Sequence, residues 1–82
     1  MATDKNRRAI CTAVARILQA ERKKRGLTLA AVASAAGLSR QMIRFVEKET
    51  RNPTLDSVLR ICDAMDLDIE ALLKRAKREA RK

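Results

Sequence analysis

Residues 28 to 45 read TLAAVASAAGLSRQMIRF, from Thr28 to Phe45. The stretch holds two short runs of helix-compatible residues that part at Gly37. Thr28 precedes the first run and Ser39 the second, and hydroxyl side chains there cap helix N-termini. Glycine reaches left-handed backbone angles without steric cost, so Gly37 ends one helix and turns the chain. Helix 2 is expected over Leu29–Ala36, with Val32, Ala33 and Ala36 available for close packing. Leu38 plugs the core between the two helices. Helix 3 is expected from Arg40 to about Lys48. At about 100° of rotation per residue, Ile43 and Val46 face inward, flanked by Glu47. Gln41, Arg44, Phe45 and Lys48 then face outward, and Arg40 sits in the first turn.

The flanks fit the same all-helical reading. Helix 1 is expected from about Asn6 to Lys24, capped by Asp4 or Asn6. Ile10, Ala13, Val14, Ile17, Leu18 and Glu21 share one side. Arg22 to Arg25 suit the negative end of its dipole, and Gly26 supplies the stop. Thr54 follows Pro53 and caps helix 4, where Leu55, Val58, Leu59 and Cys62 line one side. Met65 to Leu67 make a short connection. Asp68 caps helix 5, whose apolar stripe is Ile69, Leu72 and Leu73, continued by Ala76 and Ala80 into the basic tail. One domain over residues 1–82 is expected, with its core at about 6–73 and a basic tail over 74–82.

Composition bounds what such a domain does. The chain has 82 residues and Phe45 is its only aromatic one, which suits packed helices better than a sheet. Its formal net charge is +9, a balance that favours a polyanionic partner. The charge is uneven: residues 1–52 carry 12 basic and 4 acidic side chains, residues 53–73 balance to −4, and residues 74–82 to +5. The start, MATDKNRR, has no apolar run of a signal peptide, so a cytoplasmic protein is expected. No stretch approaches membrane-spanning length. Cys11 and Cys62 have no histidine company, so no metal site and no cofactor are expected; reduced small hydrophobes are favoured over a disulfide. Without histidine, a nucleophile–base pair or a Gly-rich phosphate loop, no enzyme is expected.

A duplex major groove accepts one α-helix, and helix 3 carries matching chemistry. Arg40 can be bidentate to guanine, Gln41 bidentate to adenine, and Phe45 can pack on a thymine methyl; Arg44 is a further exposed candidate. For Phe45, burial in a locally shifted core and a protein contact stay open. Free N–H groups at the starts of helices 2 and 3 suit phosphates. Lys48, Arg51 and Asn52 are placed to clamp the backbone after helix 3.

The block RKKRGLTLAAVASAAGLSRQMIRFVEKETRNPTLDSVLRICDAMDLDIEALL resembles the Cro/repressor-type helix-turn-helix family, also called the xenobiotic-response-element (XRE) family. The resemblance covers about residues 18–73. It rests on Arg22, Gly26-Leu27-Thr28, Ala33, Gly37-Leu38-Ser39, Ile43, Glu47, Pro53-Thr54 and Leu72 in register. It implies an all-α, five-helix, lambda-repressor-like DNA-binding domain with the helix-turn-helix at helices 2 and 3. It also implies a homodimer on double-stranded operator DNA, repressing or activating transcription. By position, Arg40, Gln41 and Phe45 match base-reading residues, and Thr28, Ser39, Arg51 and Asn52 match residues near phosphates. Arg22 and Glu47 match a pair tying helix 1 to helix 3; each lies one turn beyond a core residue, Leu18 and Ile43.

Two departures stand out. Many members carry Gln where this chain has Leu29, which would leave an apolar residue near the DNA face. Many have Gly where it has Glu49. A left-handed Glu49 would cost on the order of 1–2 kcal/mol, unless the helix ends differently. Part of the stripe Ile69, Leu72, Leu73 and Ala76, together with helix 4 or helix 1, is the expected dimer seam. The rival reading is an antitoxin that binds a toxin protein and its own promoter.

Overall fold

The computed structural model describes residues 4–49 and 52–81. Among these, five helices and no strand form: α1 Asp4–Lys24, α2 Leu29–Ala36, α3 Arg40–Glu47, α4 Leu55–Ala64 and α5 Ile69–Ala80. The fold is thus the all-α, five-helix arrangement expected. None of the helices is long and apolar enough to cross a membrane.

Each boundary has a local cause. The side chains of Thr28, Ser39, Thr54 and Asp68 accept hydrogen bonds from first-turn N–H groups of α2 to α5. These caps satisfy donors that have no partner inside the helix. α1 ends at Gly26, φ +66°, with the Leu27 N–H bonded back to the Arg22 carbonyl at 3.0 Å. α2 ends the same way at Gly37, φ +70°, with Leu38 N–H on the Ala33 carbonyl at 3.0 Å. α4 closes with Asp66 in the left-handed position, φ +55°. α1 begins at Asp4, two residues before the expected start, and α3 ends at Glu47 with Lys48 as its cap.

The core draws on every helix. Ile17, Leu18, Val32, Ile43 and Cys62 are its largest fully enclosed side chains. Antiparallel to α1, helix α5 puts Arg75 beside Glu21 and Glu79 beside Arg16, while α2 packs on α3 and α4. Leu27, Leu29, Leu38 and Met42 close the core partway.

Three expectations need correction. On α4 the buried arc runs through Val58, Ile61 and Met65 at i, i+3, i+7, with Ser57 and Cys62 beside it. Leu55 and Leu59 fall at its edge and are exposed, Leu55 by 69%. On α5, Leu72 and Ala76 are buried, whereas Leu73 is 43% exposed, because it lies about one residue's rotation from that row. Only Cys62 acts as a buried small hydrophobe; burial pushes its thiol pKa up, while Cys11 lies at the surface.

An ionic clasp joins α1 to α5. Glu21 lies on the buried side of α1 and its carboxylate receives Arg75 at 3.1 Å and Arg25 at 3.3 Å. Arg25 also donates to the Met65 carbonyl at the end of α4. The Arg75 hydrogen bond, opposed by burial and aided by Arg25, holds the Glu21 carboxyl below the usual carboxylate range.

Candidate nucleic-acid interface

The turn at Gly37 fixes how α2 presents α3. A side chain at Gly37 would strain the left-handed backbone and bring its Cβ within 3.1 Å of Arg60 Nη1. Arg60, on α4, donates from Nη1 to the Ala36 carbonyl at 3.4 Å and from Nε to Asp56 at 2.8 Å. It therefore roofs the turn from the α4 side. An i, i+4 Asp–Arg pair is a visible pattern in a sequence, but its reach to α2 is not.

The far end of α3 is anchored to α1. Arg22 Nε and Nη2 donate to the two carboxylate oxygens of Glu47, at 2.7 and 3.0 Å. Arg22 Nη1 donates to the Leu27 carbonyl at 2.9 Å, so one guanidinium ties α1, the α1–α2 turn and α3. Its side chain is 12% exposed and that of Glu47 is 6% exposed. The Glu47 hydrogen bond outweighs burial and raises the Arg22 pKa further, so the guanidinium stays charged.

With both ends fixed, Ile43 and Val46 face the core. Arg40, Gln41 and Arg44 are exposed, and Phe45 is half-buried. An exposed row of two guanidiniums and one carboxamide offers groups that pair with purine edges. Leu29 packs against the core and is half-buried, so it is not an apolar side chain standing free on this face.

Of the residues expected near phosphates, Thr28 caps α2, while Ser39 and Lys48 cap the two ends of α3. Thr28 and Ser39 use their hydroxyls as caps, accepting from Ala31 and Met42 N–H at 3.0 Å each. Lys48 and Asn52 are exposed after α3, and Arg51 lies outside the described residues. Glu49 adopts φ +58°, the left-handed conformation at its less comfortable residue type. Its Oε1 accepts from Thr12 Oγ1 of α1 at 2.7 Å, an anchor that sequence reasoning missed across 37 residues.

Beside this loop lies an open groove of about 550 Å³, with Ile10, Val14, Pro53, Leu55, Ile69 and Leu73 among its apolar lining and Arg7, Arg8, Thr12, Glu49 and Asn52 among its polar lining. Of the four residues expected at a dimer seam, Ile69 and Leu73 reach it. Leu72 and Ala76 are enclosed in the chain's own core and offer no surface to a second copy.

A protein-family model described as "Helix-turn-helix" matches residues 18–72. The match takes in α2, α3 and α4 entire, with the Arg22–Glu47 bridge that holds them. No curated protein and no solved structure matches the chain. The chain belongs to the helix-turn-helix family of the Cro/repressor, or XRE, type: it is a DNA-binding regulator of transcription.

Proposed function

We propose that this protein is a repressor that binds a palindromic operator as a homodimer. The observation that carries the sequence-specific part is the exposed row Arg40, Gln41 and Arg44, on a helix fixed at one end by Gly37 and at the other by Glu47. Arg40 and Gln41 read base edges, with Phe45 at the margin of the contact. Thr28, Ser39, Lys48, Arg51 and Asn52 hold the flanking phosphates, which set register rather than sequence. Two recognition helices then enter successive major grooves about 34 Å apart.

The homodimer reading rests on Leu55 and Leu73. Both are large, apolar and exposed, and both border the same groove with Ile69. A patch with a protruding Leu55 beside a hollow suits a two-fold contact, in which each copy supplies both parts. The rival, an antitoxin, would seat a toxin protein in that groove instead.

Selection of bound duplexes from a random pool tests the reading. A palindromic site whose half-sites lie about one helical turn apart is the expected result. Sedimentation should show a dimer that Leu55→Asp with Leu73→Asp converts to monomer. A single, asymmetric site occupied by a monomer would remove the homodimer.

A further inference from the structure

The family match begins at residue 18, but α1 begins at Asp4. The helical turns before residue 18 lie outside the matched span. In them Lys5, Arg8 and Thr12 follow at i, i+3 and i+7, which puts all three on one side of the helix. Thr12 is the residue that donates to Glu49, at 2.7 Å. Glu49 in turn follows directly on Lys48, the cap of α3. Thr12, on the side of α1 that also bears Lys5 and Arg8, is thereby tied to the loop after the recognition helix. Arg8 borders the same groove mouth as Glu49 and Asn52.

The charges there remain available. Asp4 engages Arg7 at 2.8 Å, and Glu49 is held by Thr12. Lys5 and Arg8 are exposed, and among the described residues neither has an ion-pair partner. Along the helix axis Arg8 lies about 6 Å and Lys5 about 10 Å from Thr12. A DNA strand carries one phosphate per about 3.4 Å of axis, so a row of this length matches the span of two to three phosphates.

We propose that Lys5 and Arg8 form a second phosphate-binding row, continuous with the loop after α3, that lengthens the footprint on duplex DNA. The proposal rests on the DNA-binding reading of the helix-turn-helix. It needs no base contact, and it adds affinity and salt dependence without adding sequence preference.

The test is the salt dependence of binding to a mixed-sequence duplex of about 30 base pairs, a length of about 100 Å at 3.4 Å per base pair, read by fluorescence anisotropy. Each phosphate contact contributes about 0.9 to the slope of log K against log salt, so Lys5→Gln with Arg8→Gln, which removes two contacts from each copy of the dimer, should lower the slope by about 3.6. Arg8→Gln alone should lower it by about 1.8. Lys74→Gln with Arg78→Gln removes the same charge from exposed positions on α5, and should leave the slope unchanged. Because Arg8 borders the groove proposed as the dimer seam, slopes are compared at protein concentrations where sedimentation shows every variant to be dimeric. An unchanged slope in the Lys5 and Arg8 double variant overturns the proposal. So does an equal fall in the α5 control, which would make total charge the cause. Failure of the unaltered chain to bind any duplex would instead remove the DNA reading beneath it.

Discussion

Glu47, the last residue of α3, receives Arg22 of α1 through two parallel hydrogen bonds at 2.7 and 3.0 Å. The pair is nearly closed from solvent, so neither charge can fall back on water when the other is removed. Glu47→Ala should therefore cost about 3–5 kcal/mol in urea denaturation. Arg22→Met with Glu47→Leu, which removes both charges and keeps apolar bulk, should come close to neutral. A loss of only a few tenths for Glu47→Ala would mean that the pair behaves as a surface contact.

Thr12 and Glu49 balance a strain against a hydrogen bond. The φ of +58° at Glu49 favours glycine, and relieving it is worth about 1–2 kcal/mol. The bond from Thr12 returns about 0.5–1.5 kcal/mol of that. Glu49→Gly should therefore stabilise the fold by about 1 kcal/mol when Thr12 is already Val, and by less in the unaltered chain. Equal effects in the two backgrounds would show that the Thr12 bond adds nothing.

Gly37 holds a left-handed backbone, and a Cβ there would sit 3.1 Å from Arg60 Nη1. Gly37→Ala forces alanine into φ +70° and crowds the Arg60 guanidinium where it meets the Ala36 carbonyl. The cost should be about 1–2 kcal/mol, with a loss of DNA affinity as α3 changes its angle to α2. Unchanged stability would mean that the turn has slack.

The span of α2 and the start of α3 are legible in the chain because they are written in local residues. Thr28 and Gly37 bracket α2, and Ser39 starts α3; the stop of α3 at Glu47, followed by Lys48 as cap and a left-handed Glu49, carries no glycine to announce it. The buried arc of α4 is not legible in that way. Leu55 and Leu59 are as apolar as Ile61 and Met65, and the two rows differ by about one residue's rotation. Packing against the rest of the core, α2 above all, decides between them. The site divides likewise. Arg40, Gln41 and Arg44 follow from periodicity around Ile43 and Val46. Thr12 with Glu49, Glu21 with Arg75, and Arg60 over Gly37 join segments far apart in sequence, and a local pattern holds no trace of them. Glu21 did leave a clue: a carboxylate on an apolar stripe needs a cation from elsewhere.

That clasp predicts an acid limit. Glu21 has its pKa depressed by Arg75 and Arg25, so ionised Glu21 favours the folded state. This stabilisation is complete above the usual carboxylate range and is lost as pH falls through the lower folded value. Thermal stability should therefore drop below about pH 4, a range set by ordinary carboxylate values. Glu21→Gln should be less stable at neutral pH and show a flatter acid limb. Parallel acid limbs for the two proteins would exclude Glu21 as a source of the drop.

Arg40 and Gln41 differ from the loop residues in what they should contribute. A side chain that pairs with one base edge loses its partner when the base changes, at about 1–3 kcal/mol per good bidentate pair. A side chain on a phosphate meets the same group at every sequence. Arg40→Ala and Gln41→Ala should therefore narrow the gap between operator and random duplex, each by about 1–3 kcal/mol per half-site. Lys48→Ala should weaken both duplexes alike and lower the salt slope by about 1.8, one contact in each copy. Competition binding with single-base operator variants localises the effect, since each lost pair should relax preference at one position per half-site. A uniform loss across all sequences for Arg40→Ala would place that guanidinium on the backbone and leave Gln41 and Arg44 to read the bases.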